Sequence, residues 1–209
     1  METERFKRQL DIVDPDKYDF PIHILGVGGI GSWAALLLAK MGAQYITIYD
    51  EDKVEDHNVA SQFFKESQLG ELKTSALADN IEEHSGLIIS TKDLEKEKEI
   101  EKGLVIIAID SMEARWSKAN LFAKKDLFII DARMGGLQLE IYFQHANEYV
   151  STLVPPLEVE NDSCTGSSIC FNCAVIGGLL ANYVRKYADG ERDKQEILFE
   201  FNDISLFKG

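Results

Sequence analysis

Hydrophobic and polar positions follow one rhythm up to about residue 136 and another after it. Residues 21–25 (Pro-Ile-His-Ile-Leu) form a short apolar run that stops at glycines, and residues 32–41 continue with Ala and Leu at helical spacing up to Gly42. That pattern predicts a strand, a tight turn and a helix. Residues 45–49 read as a second strand, 71–84 as a helix after Gly70, and 86–90 as a third strand. Residues 104–109 (Leu-Val-Ile-Ile-Ala-Ile) are apolar without interruption, as expected of a strand covered on both faces. A helix over 112–125 and a fifth strand over 127–130, ended by Asp131, complete the series. Alternation of strand and helix predicts a parallel sheet with helices on both faces.

Beyond that point residues 137–144 alternate, 149–154 follow a turn at Asn147, and 195–201 alternate again, which predicts antiparallel strands added on one side. Residues 168–188 read as a long apolar helix charged only at its end, 155–163 as a loop, and the Glu/Lys-rich stretch 93–102 as a solvated helical face. The expected architecture is a single α/β domain. It is a Rossmann-like, doubly wound, mainly parallel sheet with antiparallel strands in the C-terminal third. An arm (1–19) precedes a nucleotide-binding half (20–135) and a mixed half (136–209).

Gly26-Val27-Gly28-Gly29-Ile30-Gly31 joins the first strand to the first long helix. Glycines at 26, 28 and 31 allow a sharp turn, close approach to a phosphate and tight helix packing, and free N–H groups at the helix start attract an anion. Asp50 ends the second strand 19 positions after Gly31, where a ribose-binding acid is expected. These features predict an adenine-nucleotide site at the carboxyl edge of the sheet, against the alternative of a tight turn with no ligand. The motif serves NAD, FAD and ATP alike.

Composition narrows the partners. With 36 acidic against 22 basic residues the net charge is −14, which argues against a nucleic-acid or anionic-membrane surface. Apolar stretches fall short of a bilayer span, the first residues carry no apolar signal core, and three cysteines do not make a disulfide framework. The expectation is a cytoplasmic protein that binds no nucleic acid and no membrane.

The ordered set of motifs resembles the ThiF, MoeB and HesA family of adenylating enzymes related to ubiquitin-activating enzymes. It comprises Arg5-Phe6-Lys7-Arg8-Gln9-Leu10, the glycine turn, Asp50-x-Asp52-x-Val54-Glu55 with Asn58 and Gln62, Gly70-x-x-Lys73, Asp110 with Arg115, Cys164-Thr165, and Gly177-Gly178. The resemblance implies ATP- and Mg²⁺-dependent adenylation of the C-terminal carboxylate of a ubiquitin-like protein, sulfur-carrier protein or peptide, with pyrophosphate leaving. It also implies a homodimer in which Arg8 reaches the neighbouring subunit's triphosphate, and a carrier-side role for residues 136–209. Cys164 stands where some members form a thioester or persulfide and others do not.

The residue types suit that chemistry. Lys73, at a helix start beside the nucleotide edge, is a point charge for phosphates, and Asp110 ends a strand where a carboxylate can hold Mg²⁺. Each has a plainer reading: Lys73 as a surface lysine, Asp110 as an N-cap with Glu113 completing a capping box, Asp50 as a turn residue, Arg115 as a structural ion-pair partner, and Arg8 as part of a solvated arm. Gly26, Gly28, Gly29, Gly31, Asp50, Asp52, Asn58, Gln62, Arg115 and Arg133 are the expected nucleotide-binding residues. His57 and His84 are expected to face solvent, and Cys170 and Cys173 to be core residues.

Two departures from the family pattern stand out. Ser61 occupies the place of a triphosphate-binding arginine, and Arg133 is the candidate replacement. Paired Cys-x-x-Cys elements for structural zinc are missing, so no zinc is expected. The chain ends soon after Phe207, so carrier recruitment and sulfur transfer are expected to fall to partners. Two other functions stay open: a non-catalytic nucleotide binder or scaffold, and an NAD-dependent oxidoreductase, although no Tyr-x-x-x-Lys or catalytic His set accompanies the glycine turn.

Overall fold

A computed structural model describes residues 3–94, 100–153 and 168–209. Its centre is set by the apolar runs. β1 (Ile22–Leu25) lies between β2 (Ile46–Tyr49) and β4 (Gly103–Ile107), with Ile24 opposite both Ile48 and Ile106. β3 (Ser90–Lys92) flanks β2, and β5 (Leu127–Gly135) flanks β4. β6 (Gln138–His145), β7 (Gln195–Glu200) and β8 (Ser205–Lys208) then add antiparallel, giving one sheet of order β3-β2-β1-β4-β5-β6-β7-β8.

Helices cover both faces. α1 (Thr3–Phe6) belongs to the arm, and α2 (Gly29–Met41), the short α3 (Asp56–Val59) and α4 (Lys73–Ser85) follow β1 and β2. α5 (Met112–Phe122), α6 (Ala146–Tyr149) and α7 (Cys170–Ala188) are the remaining α-helices among the described residues. Ile24, Ile48 and Ile106 face a core shared with Leu38, Leu77 and Leu180 of α2, α4 and α7. Val105, Ile107 and Ile129 face a second core with Phe122, Tyr149 and Leu153. Each central strand is therefore buried on both sides, as its unbroken apolar run requires.

The fold class is the one expected, with local corrections. Residues 149–154 do not supply a strand. His145 caps α6, Tyr149 is fully buried in the second core, and a 3-10 turn follows over Val150–Thr152. The third strand lies later than expected, because Gly86 in left-handed conformation ends α4. β5 runs on through Asp131 to Gly135 as one arm of the hairpin with β6. Cys170 is exposed on the first turn of α7, whereas Cys173 is buried.

Candidate active site

The β1–α2 turn has the close contacts that its glycines allow. Gly26 has φ +85°, and a Cβ there would lie 2.6 Å from the Ala108 carbonyl oxygen just beyond β4; a Cβ on Gly31 would overlap the Gly26 carbonyl. Only glycine fits such a turn pressed between two strands. Asp50, 8% exposed, secures it from β2: one carboxylate oxygen accepts from Val27 N–H at 2.8 Å and the other from Asp52 N–H at 2.9 Å. Burial raises the Asp50 pKa, and the Val27 N–H and the Lys73 charge oppose that rise.

The turn forms one wall of a cavity of about 340 Å³ at the carboxyl edge of β1, β2 and β4. Gly28, Gly29, Asp52, Gln62 and Lys73 line it, as do Gly26 and Asp50. Lys73 opens α4; its side chain is 10% exposed and its Nζ donates to Asp52 Oδ2 at 2.8 Å. Gln62 carries a buried Oε1 with no hydrogen-bond partner among the described residues.

The opposite wall comes from β4, α5 and β5. Asp110 is exposed on it. The N-cap of α5 is Ser111, whose Oγ accepts from Ala114 N–H at 3.2 Å, so the plainer alternative of Asp110 as N-cap gives way to Ser111, and Asp110 lines the cavity. Arg115 and Arg133 also line it. Arg115 is buried, bound to Asp131 and to the carbonyls of Ile109 and Ala132. Arg133 donates from Nε to the same carboxylate at 2.7 Å and lies 4.3 Å from the Tyr142 ring centre.

Other expected residues lie elsewhere. Asn58 is buried in the capping box of α3 and does not line the cavity; Gly31 packs behind the turn. Ser61 is buried, with its Oγ 3.3 Å from Ser168 Oγ, and brings no charge. Arg8 is exposed on the arm, which is fastened by Gln9 Nε2 to the Met41 carbonyl at 2.8 Å. That anchor is the far end of α2, about 18 Å from Gly29 at 1.5 Å per residue. Cys164 lies outside the described residues. His57 was expected to face solvent and does, its side chain 76% exposed, and it also stands on the lining of the cavity. Leu94, Ile109, Met134 and Ser168 also line it. Only Ile109 had a sequence signal, its place at a strand end.

The donor set suits a hard cation with an anionic ligand. Asp110 and Asp52 offer carboxylate oxygens to the cavity, while no cluster of three His, Cys, Asp or Glu suited to a metal occurs among the described residues. Mg²⁺ is commonly held this way, by one or two carboxylates together with substrate phosphates.

The sequence model of the ThiF family matches residues 18–208. Ubiquitin-like modifier-activating enzyme 5 of Caenorhabditis elegans is 26% identical over 222 residues, covering 90% of this chain and 50% of that protein. Its namesake in Oryza sativa subsp. japonica is 40% identical over 63 residues, 30% of this chain and 15% of that protein. The chain thus spans half or less of these relatives. The crystal structure of E. coli MccB with MccA-N7isoASN has a TM-score of 0.82 at 18% identity, covering 98% of this chain and 71% of that one. MccB with ATP gives 0.79 at 17%, over 98% and 71%. PaaA gives 0.77 at 17%, over 100% and 73%. At such identities the likeness is one of fold.

Proposed function

The chain belongs to the ThiF family, and on that premise we propose that it transfers AMP from ATP to the C-terminal carboxylate of a ubiquitin-like protein, a sulfur-carrier protein or a peptide. The observation that carries this reading is the convergence of the glycine turn, Lys73 and Asp110 on one cavity.

A carboxylate oxygen attacks the α-phosphorus, the bond to the β-phosphate oxygen breaks, and pyrophosphate leaves. Negative charge crowds together, so the chain's task is to position groups and supply positive charge. The turn's N–H groups and the start of α2 cradle phosphate oxygens. Lys73, nearly buried and steadied by Asp52, is a fixed positive charge on the triphosphate. Asp110, exposed on the opposite wall, would hold Mg²⁺, which when bound would neutralise phosphate charge. Asp50 and Gln62 are left for ribose and base, and Ile109, Leu94 and Met134 keep water from the adenylate.

Arg133 stands in for the cation that Ser61 lacks, held by Asp131, whose other oxygen binds Arg115. Arg8 enters only through a second copy of the chain, since its own arm is fastened at the far end of α2. What supports a second copy is the outer side of the packed α2 and α7, where Val175 is exposed and Trp33, Leu37 and Leu179 are half-buried. Antiparallel pairing of these faces about a twofold axis would bring one copy's arm to the other's cavity. Transfer from the adenylate to Cys164 remains part of the reading on the family resemblance alone.

ATP–pyrophosphate exchange with Mg²⁺ and candidate carriers tests the reading. Exchange that depends on a carrier and is lost in Asp110→Ala is the expected result. Tight ATP binding without exchange under any carrier would favour the second reading, a non-catalytic nucleotide binder, which Ser61 in place of an arginine supports.

A further inference from the structure

Cys170-Phe171-Asn172-Cys173 opens α7, with Ile169 as N-cap and Cys170 as the first helical residue. Helix geometry sets Cα atoms three residues apart at about 5 Å, within the roughly 4.4–6.8 Å that a disulfide bridges. Both sulfurs are free thiols, Cys170 exposed and Cys173 buried. After burial, the next influence pushing the Cys173 pKa up is Cys170, so the two groups are electrostatic neighbours. Cys173 also touches the nucleotide turn: a Cβ built on Gly29 would lie 2.9 Å from its Sγ. The same helix start is tied to the cavity on two more sides. Ser168 lines it, and Asn172 Nδ2 donates to the Gly136 carbonyl at 2.6 Å in the β5–β6 hairpin.

We propose that Cys170 and Cys173 form a dithiol oxidation site whose co-reactant is a peroxide, and that closing the disulfide weakens nucleotide binding at the adjoining glycine turn. Its second half rests on the nucleotide reading above. The exposed Cys170 thiolate attacks a peroxide oxygen; the O–O bond breaks, and the departing oxygen takes a proton and leaves as water or an alcohol. Cys170 is then a sulfenic acid. Cys173 loses its proton and its sulfur attacks the Cys170 sulfur, the S–O bond breaks, and hydroxide takes up the proton and leaves as water. Two thiols are oxidised to one disulfide and one peroxide is reduced.

An S–S bond is about 2 Å long. To reach it, the Cys173 sulfur turns toward Cys170 and off Gly29, or the first turn of α7 moves with it. Either change alters the wall against which the phosphate-binding turn is packed. By linkage, bound nucleotide makes the disulfide harder to form to the same degree.

The test uses the full chain, reduced and then treated with hydrogen peroxide, with peptide mapping to locate any crosslink and titration with Mg·ATP in both states. A Cys170–Cys173 link, ATP affinity lower by about tenfold, recovery with dithiothreitol, and slower linking in the presence of ATP are expected. Cys170→Ser should bind ATP normally and show no response to peroxide, which separates this pair from Cys164. Reduced protein that binds no ATP would remove the nucleotide reading and the switch together. Reduced protein that binds ATP, yet gives no 170–173 link or binds ATP equally well once linked, overturns the switch alone.

Discussion

Arg133 donates from Nε to Asp131 Oδ2 at 2.7 Å, and that carboxylate has no exposed surface. Arg115 binds its other oxygen, so one buried acid holds two arginines at the cavity wall. Arg133→Ala should leave the fold intact and lower ATP affinity or turnover by about tenfold to a hundredfold, the scale of one lost charge-assisted contact. Unchanged kinetics would remove Arg133 as the substitute for the missing cation. Asp131→Ala should instead cost about 3–5 kcal/mol in denaturant unfolding, because it leaves Arg115 buried without its acid.

Lys73→Ala should lower kcat/KM for adenylation by roughly a hundredfold or more. Lys73→Arg should restore little, because a planar guanidinium does not replace a compact ammonium beside Asp52 in a nearly buried place. Parallel measurement of kcat and KM for ATP in both variants decides it; an arginine variant with full activity would make Lys73 a general positive charge and nothing more.

How legible this protein was depended on the range of each signal. The glycine turn, Asp50 and the unbroken apolar run ending at Ile109 are local patterns, and they foretold the parallel half and the edge where the cavity lies. The Asp131 bridge was not readable, because it depends on β4, β5 and α5 meeting in one register. Residues 149–154 looked extended, yet Tyr149 ends α6 and packs fully buried in the second core, a contact between distant segments that no local pattern signals. β8 escaped notice as a four-residue edge strand, most of it exposed. His57 and Ser168 carried no motif, and only the folded chain brings them to the cavity.

If Arg8 acts on a neighbouring copy, Arg8→Ala and Asp110→Ala will each be inactive alone and partly active when mixed. A mixed dimer has one site with both groups intact, so up to about a quarter of wild-type activity should return for random pairing with one working site in half of the dimers. No recovery, with dimers confirmed by sedimentation, would count against an arginine supplied by the partner.

Burial pushes the Cys173 thiol from its usual 9.0 up to about 11. Between those values the folded chain holds a proton that the unfolded chain has released, so stability falls as pH rises from 9.0 to about 11. Denaturant titrations of wild type and Cys173→Ala should show a steeper decline for wild type across that window. Parallel pH curves would contradict the assigned burial of the thiol.

Calorimetric titration of the full chain with Mg·ATP, set beside Lys73→Ala and an NADH titration, bears most directly on the claim that a triphosphate lies across the carboxyl edge of β1, β2 and β4. Saturable binding of Mg·ATP, weakened by about tenfold or more in Lys73→Ala and matched by no NADH binding, is the expected result. NADH binding with indifference to Mg·ATP, or ATP affinity untouched by the loss of Lys73, would contradict it.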